Sequence, residues 1–288
     1  MGKKEENAIL RTARGILEKY TVCDQCLGRQ FAWLSTDTSN EERGNAIKLA
    51  LSMTADHYLK SGSADEGKAL LRILAGHGMF QPAQSLASRQ ALEFSSQNEC
   101  HLCQHKGTSV FERIPSIAET TEKLVKGVEF NSFLVGCVPD PLLSERQDEL
   151  RAEFGLLHGE ALKADFNREL GKHLQTTLGK QVDFASPDLV ILYNMERDSV
   201  KLNINPAFVY GKYRKLARGI PQSRWDCKEC RGKGCEECGG TGRRYQDSIS
   251  EYIGEPVKES MRGSKFKFHA AGREDIDVLM LGSGRPFV

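Results

Sequence analysis

No apolar run in this chain approaches the roughly 18–20 residues that a membrane-spanning helix needs. The opening Met1-Gly2-Lys3-Lys4-Glu5-Glu6 lacks the apolar stretch of a signal peptide, and Glu6 stands where a myristoylation signal wants Ser or Thr. These absences predict a cytoplasmic protein with no membrane attachment. No P-loop, no GxGxxG and no evident Ser-His-Asp arrangement occurs, so the common nucleotide-binding and hydrolase signatures are excluded. An excess of one charge is missing too: 40 Lys and Arg face 39 Asp and Glu. With 39% hydrophobic and 27% charged residues, the composition excludes wholesale disorder, and 288 residues suit about two domains.

The balanced total hides an asymmetry. Residues 1–200 hold 23 basic and 28 acidic side chains, whereas 201–288 hold 17 basic and 11 acidic. A basic C-terminal third is able to meet a polyanion, although a solvated basic surface accounts equally well for so modest an excess.

Cysteine, by contrast, is plentiful and patterned. Eight of nine fall in four Cys-x-x-Cys pairs, Cys23/Cys26, Cys100/Cys103, Cys227/Cys230 and Cys235/Cys238, and Cys137 stands alone. Two thiolates spaced by two residues wrap one tetrahedral ion on a tight turn, and two such knuckles complete a closed four-cysteine zinc site. A disulfide framework is disfavoured without a secretion signal, and a redox motif would come as one pair rather than four. The expectation is two structural zinc sites, Cys23/Cys26 with Cys100/Cys103 and Cys227/Cys230 with Cys235/Cys238. An exchange of partners between the clusters is left open by spacing alone. A closed thiolate site has no open position, so the metal carries no catalysis. Residues 227–242 also resemble the Cys-x-x-Cys-x-Gly-x-Gly repeat of Hsp40-type chaperones, but that family's His-Pro-Asp tripeptide is absent.

Apolar spacing predicts helices over 7–20, 41–59 and 65–75, the last stopped by Gly76 and Gly78. Helices are further expected at 117–126, 143–154 and 160–178, a buried strand at 130–137, and a hairpin from 189–193 and 200–204. Phe130, Leu189 and Ile191 read simply as core. Strands interleaved with helices make this part an α+β or α/β layer structure. From Phe208 to Trp225 the chain turns basic and aromatic, and residues 211–244 carry 10 basic and 4 acidic side chains. Lys212, Arg214, Lys215, Arg218 and Arg224 are the candidate RNA contacts there, since cations among aromatics suit phosphate contact with base stacking.

The chain ends Gly272-Arg273-Glu274-Asp275-Ile276-Asp277-Val278, then Leu279-Met280-Leu281-Gly282-Ser283-Gly284-Arg285-Pro286-Phe287-Val288. On chemistry alone Asp275 and Asp277 are surface acids. The whole run nevertheless resembles the catalytic motif of the archaeal and eukaryotic pseudouridine synthase family that modifies uridines 54 and 55 in the T loop of tRNA. Cys23-x-x-Cys26-Leu-Gly-Arg-Gln-Phe31, the Ser186-Pro-Asp-Leu-Val segment and 208–225 resemble it as well, in chain order. The resemblance implies an α+β protein. It would have a helical zinc-bound region at 1–110, a THUMP-like α/β RNA-binding domain at 111–225, a Cys-rich zinc knuckle at 226–245 and the start of a pseudouridine synthase domain at 246–288.

The same resemblance implies Asp275 as catalytic aspartate, ranked above Asp277, and Arg273 as a neighbour holding Asp275 or a phosphate. It implies tRNA as partner and no organic cofactor. There are two departures from the family pattern. Leu279 stands where the family shows Arg, and the family continues with a long catalytic domain beyond the position of Val288. The expected alternatives are therefore a non-catalytic zinc-stabilised tRNA-binding module and one half of a split enzyme completed by a second chain. A chaperone-like zinc module resting on 227–242 is a third.

Overall fold

The computed structural model describes residues 7–288, and the chain divides into two units, Met1–Asn205 and Pro206–Val288. In the first, five helices come in succession: α1 (Ala8–Lys19), α2 (Asp24–Arg29), α3 (Asn40–Lys60), α4 (Ala64–His77) and α5 (Gln81–Arg89). A small hairpin, β1 (Gln104–His105) and β2 (Thr108–Ser109), precedes an α/β layer. That layer is built from α6 (Ile114–Val125), β3 (Ser132–Val138), α7 (Pro141–Phe154), α8 (Leu162–Leu178), β4 (Gln181–Val182), β5 (Leu189–Asn194) and β6 (Ser199–Ile204).

The helices form where periodicity and end chemistry agree. In α1 the stripe Ala13, Ile16 and Leu17 is fully buried, and the Asn7 side chain caps the first turn by accepting from the Ile9 amide. Ser39 and Glu42 make a reciprocal capping box for α3. Asp140 caps α7 and Pro141 pre-sets its first turn, while Gly155 ends it at φ 59°, a left-handed conformation that glycine adopts without penalty. The helix expected to stop at Gly76 instead runs to His77. Gly76 is buried inside it, where an added Cβ would sit 3.3 Å from the Ser95 carbonyl.

The sheet order is β4-β3-β5-β6, with β3 parallel to β4 and β5, and β5 antiparallel to β6. Phe133, Val135 and Cys137 alternate inward on β3, as Leu189, Ile191 and Tyr193 do on β5. Phe166, Leu170 and Leu174 of α8 are buried with them, and the Phe166 and Tyr193 rings stack 5.5 Å apart. Phe130, Leu189 and Ile191 are buried, as expected. One apolar core runs from Ala13 to Met195 and is shared by the helical region expected at 1–110 and the first-unit part of the domain expected at 111–225.

Two glycines set how closely α2 and α3 approach. A Cβ on Gly28 would lie 1.8 Å from the Asn40 carbonyl, and one on Gly44 would lie 1.9 Å from the Asp24 carbonyl. Backbone meets backbone at both places, so neither contact relaxes by turning a side chain. Gly44→Ala is expected to destabilise the first unit by about 2–3 kcal/mol. A thermal melt unchanged by this substitution would contradict the packing described.

In the second unit, β7 (Gly211–Lys215) pairs antiparallel with β8 (Met280–Phe287), and α9 (Ile249–Ser260) is capped by Ser248. Tyr213, Phe268 and Phe287 cluster beneath the two strands. Residues 206–225, expected with the α/β domain, fall in this unit because β7 finds its strand partner in β8. No helix among the described residues is long and apolar enough to cross a membrane.

Candidate functional site

The tertiary fold settles how the cysteine pairs combine. Cys23, Cys26, Cys100 and Cys103 form one group, Cys227, Cys230, Cys235 and Cys238 another, and the sulfurs within each lie within 4.8 Å of one another. The exchanged pairing is thereby excluded. A tetrahedron of about 2.3 Å metal–thiolate bonds has edges of roughly 3.8 Å. The sulfurs of Cys23 and Cys103 are 3.8 Å apart, and those of Cys227/Cys235 and Cys230/Cys238 are 3.9 Å apart. Both donor sets thus fit a tetrahedral ion.

The surroundings favour thiolate at one cysteine of each group, Cys100 and Cys238, while Cys26 and Cys103 in the first group and Cys235 in the second are pushed up. In the second group the Cys235 and Gly242 amides donate to Cys238 Sγ at 3.2 and 3.1 Å, and the Gly234 amide donates to Cys230 Sγ at 3.1 Å. The Cys235 amide is the main reason the Cys238 thiol is lowered to about 6. In the first group, burial opposes ionisation of Cys100, but hydrogen bonds from its three partner thiols and from the Cys23 amide hold it well below the ordinary range. Cys137, the ninth cysteine, lies apart in the core, where burial pushes its thiol up to about 12.

The first group has a charged neighbour that spacing arguments missed. Arg29, at the end of α2, is wholly buried with none of its guanidinium nitrogens hydrogen-bonded, and its Nη1 lies 3.5 Å from Asp165 Oδ2. Burial works against its charge. The nearby Cys26, Asp165, Cys103 and Cys100 outweigh that and hold it charged. Asp165, also buried, accepts from Gln25 at 2.7 Å and Arg168 at 2.9 Å. A sequence signal existed in the Arg of Cys-x-x-Cys-Leu-Gly-Arg, but nothing local says that it is buried.

In the second unit the aspartate motif rests on groups that sequence reasoning did not single out. Glu274, one residue before Asp275, is buried. Its carboxylate accepts from the Tyr213 hydroxyl at 2.8 Å and from Gln222 at 3.2 Å, and Arg285 Nε lies 3.0 Å away. Burial, reinforced by Glu274, pushes the Tyr213 hydroxyl up to about 12, so it stays a donor. Gln222 also donates to the Gly272 carbonyl, and Arg285 to that of Ala271. The Asp275 side chain is exposed and has no hydrogen-bond or ion-pair partner among the described residues.

The candidate RNA contacts separate into groups. Lys212 and Arg214 alternate outward on β7 and are exposed. Lys215 is the exception: it is 2% exposed, and its ammonium donates to the Asp275 and Ile276 carbonyls at 3.0 and 2.8 Å. It is an internal strut under the motif rather than a surface cation, because strand alternation turns it inward with Tyr213. Arg218 is exposed and donates to the Asp277 carbonyl, Arg224 pairs with Asp226 at 3.1 Å, and Arg273 lies over the Trp225 ring. Asp277 is exposed beside Asp275. An exposed carboxylate on a braced backbone is able to act as nucleophile or general base.

Comparison with known proteins agrees with this organisation. Residues 117–194 match the family model described as the archaeal Pus10 THUMP domain, and residues 208–288 match the one described as the Pus10 C-terminal region. A protein named tRNA pseudouridine synthase Pus10 from Methanothrix thermoacetophila is 41% identical over 97% of this chain and 59% of its own length. Proteins of the same name from Methanocaldococcus jannaschii and Methanopyrus kandleri are 39% and 37% identical, over 95% and 96% of this chain and 58% and 60% of theirs. The chain thus spans about three fifths of the length of these relatives. The first unit carries a THUMP domain, and with two matching models in chain order and such relatives along nearly its whole length, the chain belongs to the Pus10 family.

Proposed function

We propose that this chain acts in tRNA pseudouridine formation at uridines 54 and 55 of the T loop, with Asp275 as the catalytic aspartate and two structural zinc ions in the four-cysteine groups. The observation that supports Asp275 best is the contrast with its neighbours. Glu274 is locked from below by Tyr213, Gln222 and Arg285, and Lys215 holds the motif's carbonyls, while the Asp275 carboxylate is left exposed. A carboxylate so presented is preorganised for a partner outside the protein fold.

The reaction breaks the N1–C1′ bond of uridine, turns the base and rejoins it through C5. N1 gains a proton and C5 loses one, so the process is an isomerisation with no redox balance to close. Asp275 would serve as nucleophile or as base toward the sugar, and the uridine must first leave its stack at a cost of about a few kcal/mol. Lys212, Arg214, Arg218, Arg224 and Arg273 would meet the RNA backbone. All-thiolate donor sets suit zinc, and with four protein ligands each ion is structural.

The direct test is pseudouridine formation on an unmodified tRNA transcript by this chain and by Asp275→Asn. The expected outcome is a loss of at least about 10²–10⁴-fold in rate, with tRNA affinity within about twofold of the parent. Equal rates from both proteins would remove Asp275 from the role. If neither reacts while both bind tRNA, the chain is the recognition module.

A further inference from the structure

The second cysteine group closes a loop whose two stems pair beneath it. Asp226 bridges Arg243, the Cys227 amide donates to the Gly242 carbonyl at 2.8 Å, and the Arg244 amide donates to the Trp225 carbonyl at 3.0 Å. This closure puts Trp225, on the entering stem, beside Arg244 and Tyr245 on the leaving one. The Arg244 guanidinium lies 5.4 Å from the centre of the Trp225 ring and 5.6 Å from that of Tyr245. The two rings meet edge to face, 5.6 Å apart at 74°. A second guanidinium arrives from the aspartate motif itself: Arg273, two residues before Asp275, lies 5.4 Å from the same Trp225 ring.

Charge pairing separates these two arginines from three of their neighbours. Arg224 is paired with Asp226, Arg243 with Glu251, and Arg285 with Glu274. Arg244 and Arg273 are both exposed, and neither has a carboxylate within ion-pair distance among the described residues. Sharing one indole, their charges are at most about 11 Å apart and repel each other. Guanidiniums present planar forks of donors that match phosphate oxygens, and Trp and Tyr faces stack on unpaired bases. An anion bearing an aromatic ring relieves the repulsion and uses both features together.

We propose that Trp225, Arg244, Tyr245 and Arg273 form a binding subsite for one unpaired nucleotide of the RNA substrate, assembled by the second metal group and placed by Arg273 next to the aspartate motif. The subsite rests on the reading that RNA is the substrate and adds to it where an unstacked nucleotide is held. It also gives the second metal group a task, which is to keep the two stems of the platform together.

The test uses the full chain carrying Trp33→Phe, which leaves Trp225 as its only tryptophan. Trp33 is largely exposed, so its replacement disturbs little. An unmodified tRNA transcript and a short oligouridylate are titrated while Trp225 fluorescence is followed. Both should quench it. Trp225→Ala is expected to weaken tRNA binding about tenfold, whereas Trp225→Phe restores most of the affinity. Arg244→Ala should weaken binding to a similar degree and lower the salt slope by about one. Cys230→Ser, with the first unit's melt as a folding control, should reproduce the loss seen for Arg244→Ala.

If tRNA binds with no change in Trp225 fluorescence and Arg244→Ala binds as well as the parent, the subsite is refuted and the functional reading stands. If the parent fails to bind tRNA even at low salt, both fall. An equal response to polyglutamate would reduce the platform to a general anion surface and overturn the nucleotide assignment. Quenching that survives in Cys230→Ser would overturn the metal group's part.

Discussion

Cys100→Ser is expected to unfold the first unit. Cys26, Cys100 and Cys103 are buried members of its core, and an ion held by this group would join the start of α2 to a segment more than seventy residues later. Structural zinc sites of this kind bind with about 10–16 kcal/mol, which equals or exceeds the roughly 5–15 kcal/mol that stabilises a typical domain. Removing one thiolate also leaves the charged Arg29 beside a depleted group. Loss of the cooperative far-UV melt together with a drop from two bound ions to one is the expected result. Cys230→Ser is the control, since its group lies half-exposed in the other unit. It should cost the second ion while the helical melt of the first unit persists. A Cys100→Ser protein melting within a few degrees of the parent would show that the core forms without its metal.

Asp165→Ala should be the most damaging change outside the cysteines. Asp165 and Arg29 are both fully buried, and removing one partner of a buried pair costs about 3–5 kcal/mol because the other charge is stranded. Gln25 loses its acceptor at the same time, and Arg168 loses one of its carboxylates while keeping Glu160. For a unit of this size, each kcal/mol corresponds to about 2–4 °C, so Tm should fall by roughly 6–20 °C. The double variant Arg29→Met with Asp165→Leu separates two roles of the arginine. An isolated ion pair replaced by apolar groups of similar volume is often neutral. Arg29, however, also faces the sulfurs of Cys26, Cys100 and Cys103, and with metal bound that group carries net negative charge. The double variant is therefore expected to remain less stable than the parent and to release its first ion more readily to a chelator. Full recovery of both stability and metal retention would reduce Arg29 to a partner of Asp165 alone.

Much of the first unit could be read from the chain because its signals are local. The stripe of α1 repeats on one face, whereas α3 buries Arg43 and Lys48 beside Ile47 and Leu51 and leaves Leu49 and Met53 exposed; β5 and β6 alternate on either side of a polar turn, pairing Leu189 with Ile204 through to Asn194 with Ser199. The elements that escaped have weak local signals. The α2 helix is six residues long and is held by its glycine contact with α3, and α9 carries both Gly254 and Pro256 within its span. The strand β7 looked like a basic surface because four of its last residues are Lys212, Tyr213, Arg214 and Lys215. Only pairing with β8, far along the chain, turns Tyr213 and Lys215 inward.

The sequence by itself determined that thiolates come in twos on tight turns, that the N-terminal half is helical with an α/β layer behind it, and that an acidic Gly-Arg-Glu-Asp run stands near the end. Each of these is a matter of residues within one turn or one face of one another. The tertiary structure alone decided which cysteine pairs meet, that Arg29 is buried against Asp165, that Lys215 and Glu274 brace the motif from inside, and that Trp225 gathers Arg244 and Arg273. Those outcomes depend on segments tens of residues apart being brought together and dried. Burial then turns an ordinary charged side chain into a counter-ion or a strut, a change that spacing along the chain does not encode.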